Sequence, residues 1–310
     1  MTCYVLLAGG LGNQIFEFAA AMQTKSEEIV FLDLLNNDRK DVNGNPEIFN
    51  LELARHLKVM KPPRANPLLR WYFLWQLGSS SKPDSWRFLV ADSKLIKGIS
   101  SLLVWITTGA RTKVVIENRN SIRRSYDHSK HPYFLIGYFQ NYEVSRQFEN
   151  KLELLNPVEF SENLMSQATY LESEKAIGLH LRRGDYIGHP TFGLLSNDYF
   201  KEILLSIGGS GRPVIIFSDS KVVVGDLLPD HMLNMCQVCP ENFSASEILF
   251  LMSRCSTLIL SNSSLSWWAG FIAQARGSNV VSPNPWFKLE IQSTNFHVPS
   301  WKLSKSKFLP

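Results

Sequence analysis

Hydrophobic residues in this chain fall in short dense runs, separated by glycines, prolines and polar clusters, with a spacing that alternates between strand and helix periods. Thr2–Leu7 reads as a buried strand, Ala8–Gly12 as a tight loop, Asn13–Lys25 as a helix rich in alanine and phenylalanine, and Ile29–Leu35 as a second strand. Strand, glycine turn, helix, strand is the βαβ order of a doubly wound parallel sheet. Pro46, Pro62, Pro63 and Pro67 interrupt the stretch from Asp38 to Arg70, residues 71–112 predict short helices, and Tyr133–Phe139 predicts another strand. A second series begins after Pro157. Helices are predicted at Glu162–Ser173, Asp198–Ser206, Ala245–Cys255 and Ser264–Gln274, and strands at Ala176–Leu181, Val214–Phe217, Thr257–Leu260 and Asn279–Ser282. Ser244 and Glu247 stand at capping-box spacing before the third of these helices.

The chain has 310 residues, about twice a typical domain. The change of series places a boundary near residue 155, so domains 1–155 and 156–310 are expected, as two Rossmann-like α/β halves facing a cleft. No basic segment precedes a long apolar stretch at the N-terminus, and the most apolar later run, Ile99 to Ala110, is shorter than the roughly 20 residues a bilayer span needs. A soluble, cytoplasmic protein is the expectation. Cys236-x-x-Cys239 has half the spacing of a zinc site, but no second pair follows, and ordinary reduced thiols are expected there.

The net charge of +4 is unevenly distributed. Residues 55–130 hold fifteen Lys or Arg against four acids, an excess of +11, with Trp71, Tyr72, Phe73, Trp75, Trp86 and Trp105 interleaved. That mixture suits an anionic membrane surface, at about 1 kcal/mol per nearby Lys or Arg. It also suits nucleic acid, and a solvated face over core aromatics is the ordinary alternative.

Candidate chemistry collects where predicted strands end, which is where open α/β sheets bind ligands. In Ile177-Gly178-Leu179-His180-Leu181-Arg182-Arg183-Gly184-Asp185-Tyr186, alternation puts Gly178, His180 and Arg182 on one wall, with Arg183 at the exit. A guanidinium fork matches phosphate oxygens, and Asp185 could orient an arginine or a nucleoside. Asp219, after Val214–Phe217, suits a nucleoside edge or a helix N-cap. Ser261-Asn262-Ser263-Ser264-Leu265-Ser266 opens a helix with more hydroxyls than one cap needs, which favours phosphate contact. Trp267 and Trp268 are expected to pack the helix. Near the N-terminus, Gly9-Gly10-Leu11-Gly12-Asn13-Gln14 lets a ligand approach the backbone. Gly10-x-Gly12 with Asp33 fits part of a dinucleotide fingerprint, although Ile15 stands at the third glycine position.

Taken together, Gly9–Gln14, His180–Tyr186, Phe217–Asp219 and Asn262–Trp268 resemble, in order, the motifs of glycosyltransferase family 11, and Gly137-Tyr138-Phe139-Gln140 resembles a fifth, weaker one. Ser220 replaces a common second acid and Ala269 a common glycine. The resemblance implies a GT-B fold, a GDP-fucose donor, no metal, and inverting α-1,2 transfer to a galactose hydroxyl of a glycan, in bacterial surface polysaccharide such as O-antigen. By resemblance, Arg182 holds the pyrophosphate with help from Arg183, and His180 lies near it. Asp219 serves the nucleoside, and Asn262, Ser263 and Ser264 receive phosphate. Gly10 and Gly12 line the opposite loop, from which Asn13 reaches toward the donor. Asp185 and His180 are the nearby candidates for the base that an inverting transfer needs. GDP-fucose and a galactose-containing glycan are then the partners, nucleic acid is not, and residues 55–130 offer peripheral contact with the inner membrane. An NAD-dependent oxidoreductase built on Gly10-x-Gly12 and Asp33 is the alternative, against which three phosphate-suited clusters in the other half already count.

Overall fold

A computed structural model describes residues 1–33, 45–60, 72, 93–109, 111–117, 131–207, 211–220, 230–289 and 295–309. The chain forms two compact units, one from Met1–Asn156 with Ile291–Phe296, the other from Pro157–Glu290 with His297–Pro310. Both are parallel α/β units, the composition expected of each half of a GT-B fold.

The first unit is built on strands β1 (Thr2–Leu7), β2 (Glu28–Asp33), β3 (Leu57–Met60), β4 (Lys113–Ile116) and β5 (Tyr133–Ile136). They pair in the order β3-β2-β1-β5-β4, every pair parallel. Strand order reverses beside β1, which takes β2 on one side and β5 on the other. Helix α1 (Leu11–Gln23) follows β1 and buries Phe16, Phe18 and Ala19, Ala20 and Ala21. The alanines keep its flank narrow enough to lie close to its neighbours. Asn295 and Phe296 return to this unit. The Tyr142 N–H donates to the Asn295 carbonyl at 2.8 Å, and the Phe296 ring meets Phe16 edge-on at 6.0 Å.

Where short helices are predicted, residues 94–108 form one 15-residue helix, α2 (Lys94–Thr108). Its ends explain the length. The Ser93 hydroxyl accepts from the Ile96 N–H, and Gly109 adopts a left-handed φ of 71° that stops it. Most of the basic stretch 55–130 lies outside the described residues.

The second unit carries β6 (Ile177–Leu181), β7 (Val214–Ser218), β8 (Cys236–Val238), β9 (Thr257–Ile259), β10 (Asn279–Asn284) and β11 (Lys302–Lys305). The order is β11-β10-β9-β6-β7-β8, again all parallel. From β6 the chain winds outward to β7 and β8, then returns to β9 on the other side. The strand order therefore reverses between β6 and β9. Helices α3 (Glu162–Ser173), α4 (Asn197–Ile207), α5 (Ala245–Met252) and α6 (Ser264–Ala275) connect the strands. Ser244 and Glu247 form the expected reciprocal cap of α5.

Tyr199, Phe200 and Ile203 of α4 pack on Ile177, Leu179 and Leu181. Burial of one such Leu or Ile is worth about 1.5–3 kcal/mol. On the other side, a Cβ at Gly178 would lie 2.7 Å from Cys255 Sγ and 2.8 Å from Leu258 Cδ1. Gly178 and His180, expected on one wall with Arg182, are thus both buried. A central parallel strand is covered on both faces, so all five residues of β6 are buried. Trp267 and Trp268 are fully buried, with Trp267 stacked on Phe271.

Candidate active site

The second unit concentrates the polar groups at the carboxyl ends of β6, β7 and β9, the place where its strand order reverses. Register explains the convergence. Leu179 pairs with Ile259 and Leu181 with Ser218, so residues 182–183, 219 and 261–264 leave the sheet side by side.

His180 is the innermost member. Its ring is buried, and Nδ1 lies 2.7 Å from Ser261 Oγ. Burial, reinforced by the nearby Arg182 charge, pushes its pKa down to about 3, so the imidazole is neutral at ordinary pH. The hydrogen bond fastens β6 to the segment after β9, and His180 acts here as a positioning residue. Ser266 continues the tie. Its hydroxyl lies 2.9 Å from the Ser261 carbonyl and 3.0 Å from that of Ser263.

Arg182 stands at the strand exit with its side chain 23% exposed. Nη1 lies 3.0 Å from Asp219 Oδ2, and the guanidinium sits 5.6 Å from the Tyr186 ring centre. Asp219 also accepts the Arg183 N–H at 2.9 Å. Its carboxylate therefore braces the arginine turn, a role that the sequence suggests for Asp185 and not for Asp219, whose expected roles are a nucleoside contact or a helix N-cap. Gly184 permits this bracing, since a Cβ there would come within 2.8 Å of Asp219 Oδ2. The Arg183 guanidinium donates to Asn197 Oδ1 at the start of α4. Asp185 lies in the turn Gly184–Tyr186, but its side chain falls outside the described residues.

Asn262 is buried. Its side-chain amide donates to the carbonyls of Phe192 and Gly193, both at 3.0 Å, and its backbone carbonyl accepts the Tyr186 hydroxyl at 3.1 Å. It pins the 186–193 loop beside the arginines. Ser263 is the N-cap of α6, yet its side chain makes no capping bond. The hydroxyls of Ser263 and Ser264 have no hydrogen bond among the described residues. A 12-residue helix with an uncapped N-terminus directs its first N–H groups and the positive end of its dipole outward, two strands from Asp219 and beside Arg182. Such a cluster is chemically suited to an anion with several oxygens.

The glycine loop of the first unit is built differently. Gly9, rather than Gly10 or Gly12, holds the left-handed φ of 68°, and a Cβ there would meet Asn13 Nδ2 at 2.3 Å. Gly10 is the N-cap of α1, and Gly12 is buried inside the helix. The Leu11 N–H donates to Glu47 Oε2 at 2.8 Å, so a carboxylate already occupies this helix start. Gln14 fastens the loop by donating to the Gly9 carbonyl and accepting from the Ile48 N–H. Gln140 donates to Asn13 Oδ1 at 2.7 Å, which joins the first and the fifth, weaker motif at the β1–β5 reversal. With Glu47 seated there, a dinucleotide pyrophosphate at Gly10-x-Gly12 would meet a negative charge. The Asp33 side chain lies outside the described residues.

Beneath this loop lie two buried acids. The Ala8 N–H donates to Glu17 Oε2 at 3.1 Å and the Tyr138 N–H to Glu117 Oε2 at 2.8 Å. Burial holds the Glu17 carboxyl well above the ordinary carboxylate value, the Ala8 N–H lowers it, and the Glu117 charge adds to the rise. Glu17, Glu47 and Gln140 scaffold the glycine loop of the first unit, and Ser261 scaffolds the strand ends of the second. Nothing in the local sequence pattern marks Glu17 or Glu47, whereas Ser261 and Gln140 belong to recognisable motifs. Cys236 and Cys239 are free thiols, pushed by burial to about 11 and about 12.

A family model described as Glycosyl transferase family 11 matches residues 118–303. The chain is 26% identical over 312 residues to the O-antigen biosynthesis glycosyltransferase WbnK of Escherichia coli, covering 92% of this chain and 94% of that one. It is 20% identical over 294 residues to the Alpha-1,2-colitosyltransferase of Escherichia coli, covering 92% of each. Among solved structures, apo POFUT1 is similar at 12% identity with a TM-score of 0.45, over 90% of this chain and 97% of that one.

Proposed function

This chain belongs to glycosyl transferase family 11, and we propose that it is an inverting α-1,2-fucosyltransferase acting in O-antigen synthesis. The reaction moves fucose from GDP-β-L-fucose to a galactose hydroxyl of the growing glycan. The observation that carries this reading is the meeting of the Arg182–Asp219 pair with the uncapped start of α6 at the strand-order reversal. Support for the linkage and the polymer comes from relatives: one is named for O-antigen biosynthesis, another for α-1,2 transfer of colitose.

As the bond between the fucosyl carbon and the diphosphate breaks, negative charge builds on departing GDP. Arg182, the first N–H groups of α6 and the Ser263 and Ser264 hydroxyls are preorganised donors for that charge. Asp219 keeps Arg182 from folding away, and His180 holds the serine segment at fixed height above β6. No metal is required by this scheme. Removing one such donor costs roughly 3–4 kcal/mol, a factor on the order of 100 to 1,000 in rate. Inversion needs a group to take the acceptor proton. A base works best with a pKa near the working pH, and His180, at about 3, is far from it. We assign that proton to Asp185, the carboxylate next along the turn. The acceptor belongs to the first unit, whose glycine loop has its helix start occupied by Glu47.

The test is incubation of the protein with GDP-fucose, other GDP-sugars and a panel of galactosides, with and without EDTA, and linkage analysis of the product. Fucose joined α-1,2 to galactose in EDTA is the expected product. Transfer of colitose alone, or full loss of transfer in EDTA, overturns the reading. Arg182→Ala is expected to fold and to lose 100-fold or more in kcat, and turnover like the parent protein refutes its role.

A further inference from the structure

Helix α2 is apolar on two opposite faces. Val104 is buried and Ile96 and Leu103 are half-buried, packing with the cluster of Leu6, Leu32, Phe134 and Ile136 under the first sheet. The opposite face presents Leu95, Ile99, Leu102 and Ile106, at the i, i+4, i+7, i+11 spacing that aligns side chains along a helix. Trp105 flanks them. Leu95 is 73% exposed, Ile106 64%, Leu102 53% and Trp105 50%. Isolated exposed apolar residues are ordinary, but five on one continuous helical stripe form a patch that marks an interaction surface.

We propose that this stripe is the enzyme's docking surface for an anionic lipid bilayer, with α2 lying in the plane of the interface. Charge complementarity selects that occupant. From Ser93 to Ile116 every charged residue is cationic: Lys94, Lys97, Arg111 and Lys113. They stand in the stretch 55–130, whose sequence excess is +11. A second protein chain binding through an apolar stripe has no need of an acid-free segment, whereas anionic headgroups are repelled by acids and held by lysine and arginine. Leu and Ile enter the acyl boundary, a tryptophan sits at headgroup level, and Lys94 borders the stripe on the same side as Trp105, as in interfacial helices. No helix among the described residues is long and apolar enough to cross a membrane, and α2 at 15 residues lies along a surface instead. This attachment serves an acceptor carried at a membrane and does not depend on which sugar is transferred.

The experiment is sedimentation of the full chain with vesicles of phosphatidylcholine alone and with phosphatidylglycerol added. Binding to the phosphatidylglycerol vesicles, weakened by salt, is expected. Lys94→Gln with Arg111→Gln is expected to lower partitioning roughly 30-fold, and Leu102→Asp with Ile106→Asp on the order of 100-fold. These side chains face solvent, and an unchanged melting temperature separates lost docking from lost folding. In the parent sequence, brominated lipid quenches a fluorescence component that Trp105→Phe removes, which reads insertion without altering the charge. Failure to bind, equal binding to phosphatidylcholine alone, quenching unchanged by Trp105→Phe, or a lipid-free dimer that Leu102→Asp dissociates each overturns the proposal.

Discussion

The neutral, buried His180 makes the stability of the second unit depend on pH in a calculable way. Its folded pKa is about 3 against an ordinary 6.5, because burial and the Arg182 charge both oppose protonation. Below 6.5 the unfolded chain takes up a proton that the folded chain refuses, so stability present at neutral pH is lost as the pH falls from 6.5 toward 3. At about 1.36 kcal/mol per unit, the loss is about 2 kcal/mol at pH 5 and about 4 kcal/mol at pH 3. Carboxylates elsewhere titrate in the same range, so the informative quantity is a difference between variants. His180→Gln removes the titrating group while retaining a polar side chain toward Ser261. Urea denaturation between pH 8 and pH 5 is expected to show the parent protein losing about 2 kcal/mol more than the variant, whatever their offset at pH 8. Histidine resonances followed by NMR provide the independent check, with one imidazole failing to titrate above pH 4. Parallel stability curves, or an imidazole at position 180 with a pKa of 6 to 7, refute the reasoning. The same outcome would return His180 to consideration as a proton carrier in the reaction.

Gly137 has a φ of 144°, and a Cβ there would stand 2.2 Å from Glu117 Cβ, so Gly137→Ala is expected to cost about 2–4 kcal/mol in urea denaturation. A loss below about 1 kcal/mol means that the loop relaxes without holding Glu117. Glu17 has the opposite pH sign to His180. Its folded pKa is raised, so the stability it contributes is present below the ordinary carboxyl value of 4.5 and is lost as the pH rises through the folded value. Glu17→Gln keeps an acceptor for the Ala8 N–H and is expected to flatten that decline, and identical pH profiles for parent and variant contradict it. Gly184→Ala is expected to displace Asp219 and weaken GDP binding several-fold by calorimetry while the melting temperature changes little. Unaltered affinity would remove Asp219 from the arginine support.

What the sequence determined by itself were the elements whose whole pattern is local. β1, β2, β5, β6, β7, β9 and β10 are apolar runs bounded by turns, and α5 announces its start through Ser244 and Glu247. The arginines after β6 and the serines after β9 were legible too, because strand ends followed by polar clusters are a local signal. The strands that escaped, β3, β4, β8 and β11, are the four sheet edges. An edge strand pairs on one side only, tolerates lysines such as Lys58, Lys113, Lys302 and Lys305, and needs only three or four residues, so its sequence resembles a loop.

What the site residues touch follows from packing and register. Periodicity put His180 on a wall with Arg182, but which face of a central strand is open depends on the helices laid over it, and those cover both faces here. Asp219 reads in the sequence as a cap or a nucleoside partner, and its contact with Arg182 follows from the β6–β7 register, which the sequence does not contain. Glu47 reaches the start of α1 from 36 residues away, and Gln140 reaches Asn13 from 127. Hydrogen bonds across such separations follow from strand order and register, quantities that the spacing of residues along a chain does not contain.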